Sequence, residues 1–402
     1  MAGAIVAAAC GPLQLAPAAA GTAEPIIEQD LSSAPPLRQA PRRVALIVPL
    51  SGPQRSLGEA VRDGFIAGQL ATADSRDQPE ILIFDELDAG QDPFQAALAA
   101  QADAIVGPLL KDSIPRAAAA TAGIAVLALN TVEPGIPVPS SMQQYALSPE
   151  DEARSAAGRA AAENRLRAVA LAPDSDWGKR VLGAFAAEME RLGGSVVAFS
   201  YYNPAATDHT ALLERLLLVD ESRGRHRALM KRLGTPLEFE PRRRADADLV
   251  FLAGTPAAGR LMRPQLKFVY AGDLPVYATS AIHQPGTKGD TDMDGISFPD
   301  APAVLGSDSR SALFRRTIEL QWPSGGSSRL RFYAMGHDAW DLLTQTLNGT
   351  SGPLDGLTGV LTTDARGIVH RELMWGVFRN GGIVTLPDLI PPEPPTPDVS
   401  TP

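Results

Sequence analysis

Val44 to Val48 is an unbroken apolar run, VALIV, with no polar alternation. A run this short and uninterrupted predicts a strand buried on both faces. Pro49-Leu50-Ser51-Gly52-Pro53 then turns the chain into a helix from about Leu57. The same order repeats, with a strand at Ile81 to Asp85, a helix around Phe94 to Ala100, and further strands at Ala104 to Pro108 and Ile124 to Ala128. Strand, loop, helix, strand is the βαβ unit and predicts a parallel sheet.

A second set begins after Tyr145-Ala146-Leu147, where Ser148 reads as an N-cap, Pro149 as the first helical residue and Asp151 as a side chain turning back to the cap. Arg167 to Ala172 predicts a strand, Trp177 to Leu192 a helix stopped by Gly193-Gly194, and Val196 to Phe199 the next strand. Asp248 to Ala253 is another buried strand, Thr255-Pro256 opens a helix, and Leu274 to Thr279 closes the set. Arg331 to Leu347 reads as a helix, and Leu373 to Ile383-Val384 as a hairpin through Asn380-Gly381. These runs predict an α/β protein of two doubly wound, Rossmann-like lobes with a cleft between them. Lobe 1 spans about 42–147 and lobe 2 about 148–280, with 281–386 returning to both.

The ends follow another pattern. Residues 1–9 are small and apolar and stop at Cys10, as a lipoprotein signal does, although Ala7 stands where leucine is usual. Cys10 is therefore the expected lipidation site, with an ordinary secretory signal cut after Ala18 or Ala20 as the alternative. The missing positive n-region suggests a start codon upstream of Met1. Residues 10–41 mix Pro, Ala and Ser without period and read as a tether, and 387–402 as a disordered Pro-rich tail.

At 402 residues and 45% hydrophobic, the chain can bury a core for two lobes, and it lacks a long apolar membrane span. A formal charge of −10 argues against general nucleic-acid binding. A single cysteine excludes an intrachain disulfide and a cysteine-based zinc cage. Against the acidic background, 221–246 is locally basic, with Arg223, Arg225, Arg227, Lys231 and Arg232 followed by Arg242-Arg243-Arg244. That stretch is either a solvated helical arm or a surface for an acidic partner or for peptidoglycan phosphates or carboxylates.

Catalytic patterns do not appear. The five histidines are scattered without a zinc-hydrolase spacing, and no nucleophile elbow, Ser-x-x-Lys or P-loop occurs. No cofactor and no metal site is expected. His337-Asp338 are helical neighbours pointing about 100° apart, which reads as structural. Asp85 and Asp88 follow the second strand, where α/β sheets place ligands, but two acids alone are weak evidence.

Pro49 to Pro53 with Leu57-Gly58 and Arg62-Asp63-Gly64-Phe65 resembles the opening of type I periplasmic-binding-protein folds. Val106-Gly107-Pro108-Leu109, Ala146 to Ala153, Phe239 to Arg244, Gln265-Leu266 with Tyr270 to Ser280, and Tyr333 to Trp340 together are similar to the C-terminal domain of the LppC/LpoA lipoproteins, activators of class A penicillin-binding proteins. The resemblance covers about 42–386. It implies a non-enzymatic periplasmic regulator, lipid-anchored to the outer membrane through Cys10, that stimulates a peptidoglycan synthase. Gly11 after the cysteine fits outer-membrane sorting, and the tether supplies reach of about 3 Å per residue if extended. Better-known members also carry a long N-terminal helical-repeat domain, for which the residues between Cys10 and Arg42 leave no room. Arg242, Arg243 and Arg244 are the candidate synthase contact, or else pin the arm to lobe 2 through ion pairs. A solute-binding protein closing on a small ligand is the second reading. Receptors of this fold place small hydroxyl residues in the loop after the third strand, where this chain has Leu109-Leu110, so a small-molecule ligand is disfavoured. An enzyme acting on cell-wall glycans ranks third, since no carboxylate pair is marked.

Overall fold

The computed structural model describes residues 43–72, 78–121, 123–133, 135–287, 291–324 and 326–387. Cys10, the signal segment, the tether and the Pro-rich tail beyond Pro387 lie outside the described residues. Among these, the strands form two sheets.

Lobe 1 contains β1 (Arg43–Val48), α1 (Arg55–Ala71), β2 (Glu80–Asp85), α2 (Pro93–Ala99), β3 (Ala104–Val106), α3 (Ile114–Ala120), β4 (Ala125–Ala128) and β5 (Met142–Tyr145). Later in the chain α11 (Leu330–Leu347), β11 (Leu354–Asp355), β12 (Val360–Thr363) and β13 (Ile368–Glu372) join it, giving the order β11-β12-β13-β5-β4-β3-β1-β2. The β1 run is apolar throughout because the strand is central. Val44, Leu46 and Val48 enter the core shared with Met335 and Trp340, while Ala45 and Ile47 enter the opposite core with Phe94 and Ile114.

Lobe 2 is built from α4 (Pro149–Ala162), β6 (Arg167–Pro173), α5 (Asp176–Arg191), β7 (Ser195–Tyr202), α6 (Thr210–Leu216), α7 (Val219–Leu233), β8 (Leu249–Leu252), α8 (Pro256–Phe268), β9 (Val276–Ala278), β10 (Ile296–Asp300), β14 (Met374–Arg379) and β15 (Gly382–Leu386). Its sheet order is β15-β14-β10-β9-β8-β6-β7. Alanines 153, 156, 157 and 160 of α4 lie against alanines 168, 170 and 172 of β6, so the helix backbone approaches the sheet closely. Two short helices, α9 (Pro302–Leu305) and α10 (Ser309–Gln321), lead back towards α11.

The two doubly wound lobes agree with the hydrophobic pattern. Local differences have physical causes. β10 carries Pro299, a residue that argues against a strand, and Pro299 faces Trp375 in the antiparallel β10–β14 pair. β5 reads MQQY, yet Gln144 is buried and its side-chain oxygen accepts from the Val132 amide. Ser148 caps α4 by accepting from the Asp151 amide (3.1 Å), whereas the Asp151 carboxylate pairs with Arg154 rather than returning to the cap. Asn380 and Gly381 both adopt the left-handed backbone of the expected hairpin turn.

α1 and α11 touch through glycine. A Cβ on Gly64 would lie 2.0 Å from the Tyr333 carbonyl oxygen, and one on Gly336 2.0 Å from that of Val61. The Gly64 and Gly336 positions within the resemblance motifs are therefore helix-packing positions.

Candidate functional site

The chain crosses between lobes three times, after β5, after β10 and between β13 and β14. β13 runs parallel to β5, and Met374 at the start of β14 faces Asp300 at the end of β10. All three crossings therefore sit at the carboxyl ends of the parallel strands, where α/β sheets place ligands.

A charged cluster joins these crossings. Glu152, in the first turns of α4, accepts from the Ser280 amide and hydroxyl (both 2.9 Å) and lies 3.4 Å from the Arg371 guanidinium of β13. Arg331 of α11 grips both oxygens of Asp300 (2.7 and 2.6 Å) and donates to the Ser280 and His283 carbonyls. His283 Nδ1 is 3.3 Å from Asp300. Burial pushes the Glu152 carboxyl up despite the nearby Arg371 and Arg331 guanidiniums. Burial acts the same way on Asp300, but there the Arg331 guanidinium outweighs it and holds the carboxyl below its usual range. The Ser280 hydroxyl donates to Glu152 and His283 Nδ1 faces Asp300, so the carboxylates are spent on holding these groups and the lobes together.

In lobe 1 the candidate ligand position is already filled. Glu86, directly after β2 and 2% exposed, accepts from the amides of Leu109 (2.9 Å) and Leu110 (3.0 Å) in the loop after β3. Burial raises its carboxyl, opposed by the Ser113 hydroxyl and these two amides. A carboxylate does meet Leu109 and Leu110, through their backbone, and it belongs to the chain itself. Asp85 and Asp88 stand out by position in the sequence, but the buried carboxylate that fills the site is Glu86 between them. Asp85 accepts from the Leu50 and Leu87 amides and so braces the loop after β1. Replacing Glu86 by alanine leaves two amides without their acceptor and is expected to cost about 2 kcal/mol. Millimolar formate or acetate should restore part of the melting temperature in that variant and do nothing for the parent.

His337, Asp338 and Asp341 offer donor atoms within 4.8 Å of one another. The Asp338 oxygens, however, accept from the amides of Leu357 and Thr358 (both 2.7 Å) and from the Thr358 hydroxyl (2.6 Å). They are not free to hold a cation, and His337 and Asp338 form no catalytic pair.

The three arginines at 242–244 have separate fates. Arg244 binds Asp246 (2.7 Å) and the Leu216 and Val197 carbonyls, which pins the arm to lobe 2 and brings the Asp246 carboxyl down to about 2. Arg243 pairs with Asp273 (2.6 Å). Arg242 is exposed, and its guanidinium has no ion-pair partner among the described residues. All three line a groove of about 770 Å³ with Arg165, Asp248 and Tyr270, at the end of lobe 2 away from the cleft.

The family described as "LppC putative lipoprotein" matches residues 24–381. The chain belongs to the LppC family. Among LppC relatives named penicillin-binding protein activator LpoA, one from Photobacterium profundum is 28% identical over 348 residues, covering 85% of this chain and 56% of the relative. Another, from Haemophilus influenzae, is 30% identical over 355 residues, covering 85% and 55%. The chain thus spans about half the length of the curated relatives it matches. The C-domain of LpoA (YraM) from Haemophilus influenzae, described as a regulator of PBP1A, superposes with a TM-score of 0.66 at 28% identity over 86% of this chain and 99% of that one. An ABC transporter substrate-binding protein from Sphaerobacter thermophilus superposes at 0.59 with 17% identity, covering 87% and 97%. The latter likeness is one of fold, and it agrees with the periplasmic-binding-protein-like lobes.

Proposed function

We propose that this LppC chain is a non-enzymatic regulator that binds and activates a class A penicillin-binding protein, anchored to the periplasmic face of the outer membrane through a lipid on Cys10. The observation that carries the reading is the match of its two-lobed body to essentially the whole C-domain of a protein described as a regulator of PBP1A. The internal Glu86 carboxylate supports it, because the loop after β3 offers an incoming carboxylate no free amide at Leu109 or Leu110. That same contact weighs against the second reading, a solute-binding protein. A non-covalent activator works by binding one conformation of its target more tightly than another, so it needs a complementary surface and no reactive group.

The test is glycan polymerisation and peptide cross-linking by the organism's class A synthases, with and without the purified protein. A several-fold stimulation that saturates with added protein and is specific to one synthase is expected. No stimulation and no binding would overturn the proposal.

A further inference from the structure

We infer that the α7 arm is the docking surface for an acidic protein partner, and that it recognises this partner by an apolar stripe framed with unpaired cations. The inference rests on the activator reading above and locates its contact.

α7 stands off the body. Of its fifteen residues only Val219 and Ser222 are buried. Leu218, at its start, takes a left-handed backbone that turns the helix away from α6, and Gly234 ends it in the same conformation. The return segment is tied back at three points, where the Arg242 amide donates to Ser222 Oγ (3.1 Å), His226 Nε2 meets the Leu237 carbonyl (3.2 Å), and the His226 ring stacks on Phe239 (centroids 4.1 Å apart). The arm is thus an ordered helix and an irregular return segment with almost nothing beneath the helix's outer half.

Its sequence has the pattern of a covered helix. His226, Leu229, Met230 and Leu233 fall at i, i+3, i+4 and i+7, the spacing of a face that packs on something. Yet Leu229 is 48% and Leu233 57% exposed, with Phe239 beside His226 at 39%. An ordered arm presenting a row of apolar side chains to water gains nothing from burial to offset the entropy of ordering it. A partner that covers the stripe supplies that burial.

The charges say what kind of partner. Arg223 is spent on Glu214, Arg225 on Glu221, Arg243 on Asp273 and Arg244 on Asp246. Arg227, Lys231, Arg232 and, at the base of the arm, Arg242 are exposed and have no ion-pair partner among the described residues. No carboxylate occurs between Ser222 and Leu237, although the whole chain carries a charge of −10. Glu238 and Glu240 are the acids on the return segment. Free cations around a leucine stripe complement an acidic surface with an apolar centre, and such complementarity sets partner choice and association rate. Glycan alone would satisfy the cations and leave the leucines in water, whereas an anionic bilayer would cover both, so vesicles form the competing arm of the experiment.

α10 supplies an internal control. Leu313 and Leu320 are also exposed there, but Arg310 and Arg315 are spent on the Asp355, Ala303 and Gly306 carbonyls, and Arg316 stands near Glu319, so the frame of free cations is missing. The experiment measures affinity of the full chain for the purified class A synthase at low and moderate salt, with melting temperatures in parallel. Three variants are compared with the parent: Arg227→Glu with Lys231→Glu and Arg232→Glu; Leu229→Ser with Leu233→Ser; and Leu313→Ser with Leu320→Ser. Both arm variants should bind at least about ten-fold more weakly while melting like the parent, and the α10 variant should bind normally. Parent-like affinity and stimulation from both arm variants would overturn the assignment while leaving the activator reading intact. Arm variants that lose sedimentation with peptidoglycan or anionic vesicles but keep the synthase would also overturn it. A parent protein that neither binds nor stimulates any synthase would remove the activator reading and this inference with it.

Discussion

Replacing Asp300 by alanine is expected to destabilise the protein by about 3–5 kcal/mol, because it strips a desolvated guanidinium of the carboxylate it grips and leaves it with the more distant charge of Glu152. Asp300 is 1% exposed and takes two hydrogen bonds from Arg331, which spans from α11 of lobe 1 to the end of β10 in lobe 2. The same guanidinium donates to the Ser280 and His283 carbonyls, so its displacement loosens the β9 end as well. In thermal unfolding the midpoint should fall by on the order of 10 °C. Removing both partners together, as Asp300→Asn with Arg331→Met, should recover part of the loss, since the isolated charge is the costly element. A single variant that melts within about a degree of the parent would show that the crossings hold the lobes without this pair.

The sign of its pH dependence follows from the depressed carboxyl. Asp300 ionises more readily folded than unfolded, so its stabilisation is complete above the ordinary carboxylate range, about 4, and is lost as pH falls through its lowered value. Glu152 acts in the opposite sense. Its carboxyl is raised by burial, so protonation favours the folded state as pH falls from neutral towards that ordinary range. Urea midpoints of the parent and of Glu152→Gln between about pH 2 and 7 separate the two, since the Gln variant removes only the second trend and leaves the loss below about 4.

Much of the architecture was legible because central parallel strands leave a distinctive mark. VALIV at β1 and LVFL at β8 are apolar without alternation since both faces are buried, and the helices between them carry ordinary caps. The short strands β11 to β13 left no such mark, because they extend the sheet at its partly exposed end and their residues alternate with solvent or are too few to show a period. The site was less legible for a related reason. Glu86 matters through two backbone amides twenty-three and twenty-four positions further along, and no local spacing announces a carboxylate aimed at main chain. The Arg242-Arg243-Arg244 run was visible as charge, but which guanidinium is free depends on how Arg244 turns to the neighbouring Asp246 and on Asp273, which only the fold brings alongside Arg243. Leu229 and Leu233 had the spacing of core residues, and exposure is what turned them from packing into recognition.

Asp338 provides the second large effect and shows how a conspicuous motif can be structural. It is fully buried in α11, and its carboxylate receives two main-chain amides and a hydroxyl from Leu357 and Thr358, with the Tyr145 hydroxyl close by at 3.4 Å. Those donors belong to the turn between β11 and β12, so one side chain anchors the edge of the lobe 1 sheet to the helix that packs on α1. Alanine leaves two buried amides without an acceptor, at about 1–3 kcal/mol each, and the expected loss is about 3–5 kcal/mol. Asparagine keeps one acceptor oxygen but sets an NH₂ against an N–H donor, so it should recover less than half of that. Hydrogen exchange gives the decisive reading. The amides of 354–360 should exchange faster in Asp338→Ala, whereas the lobe 2 strands should stay protected below the melting range. The folded fraction should still stimulate the synthase at the parent's level per molecule. Stimulation abolished in protein that remains folded, with protection at 354–360 unchanged, would instead assign Asp338 a direct part in the activity.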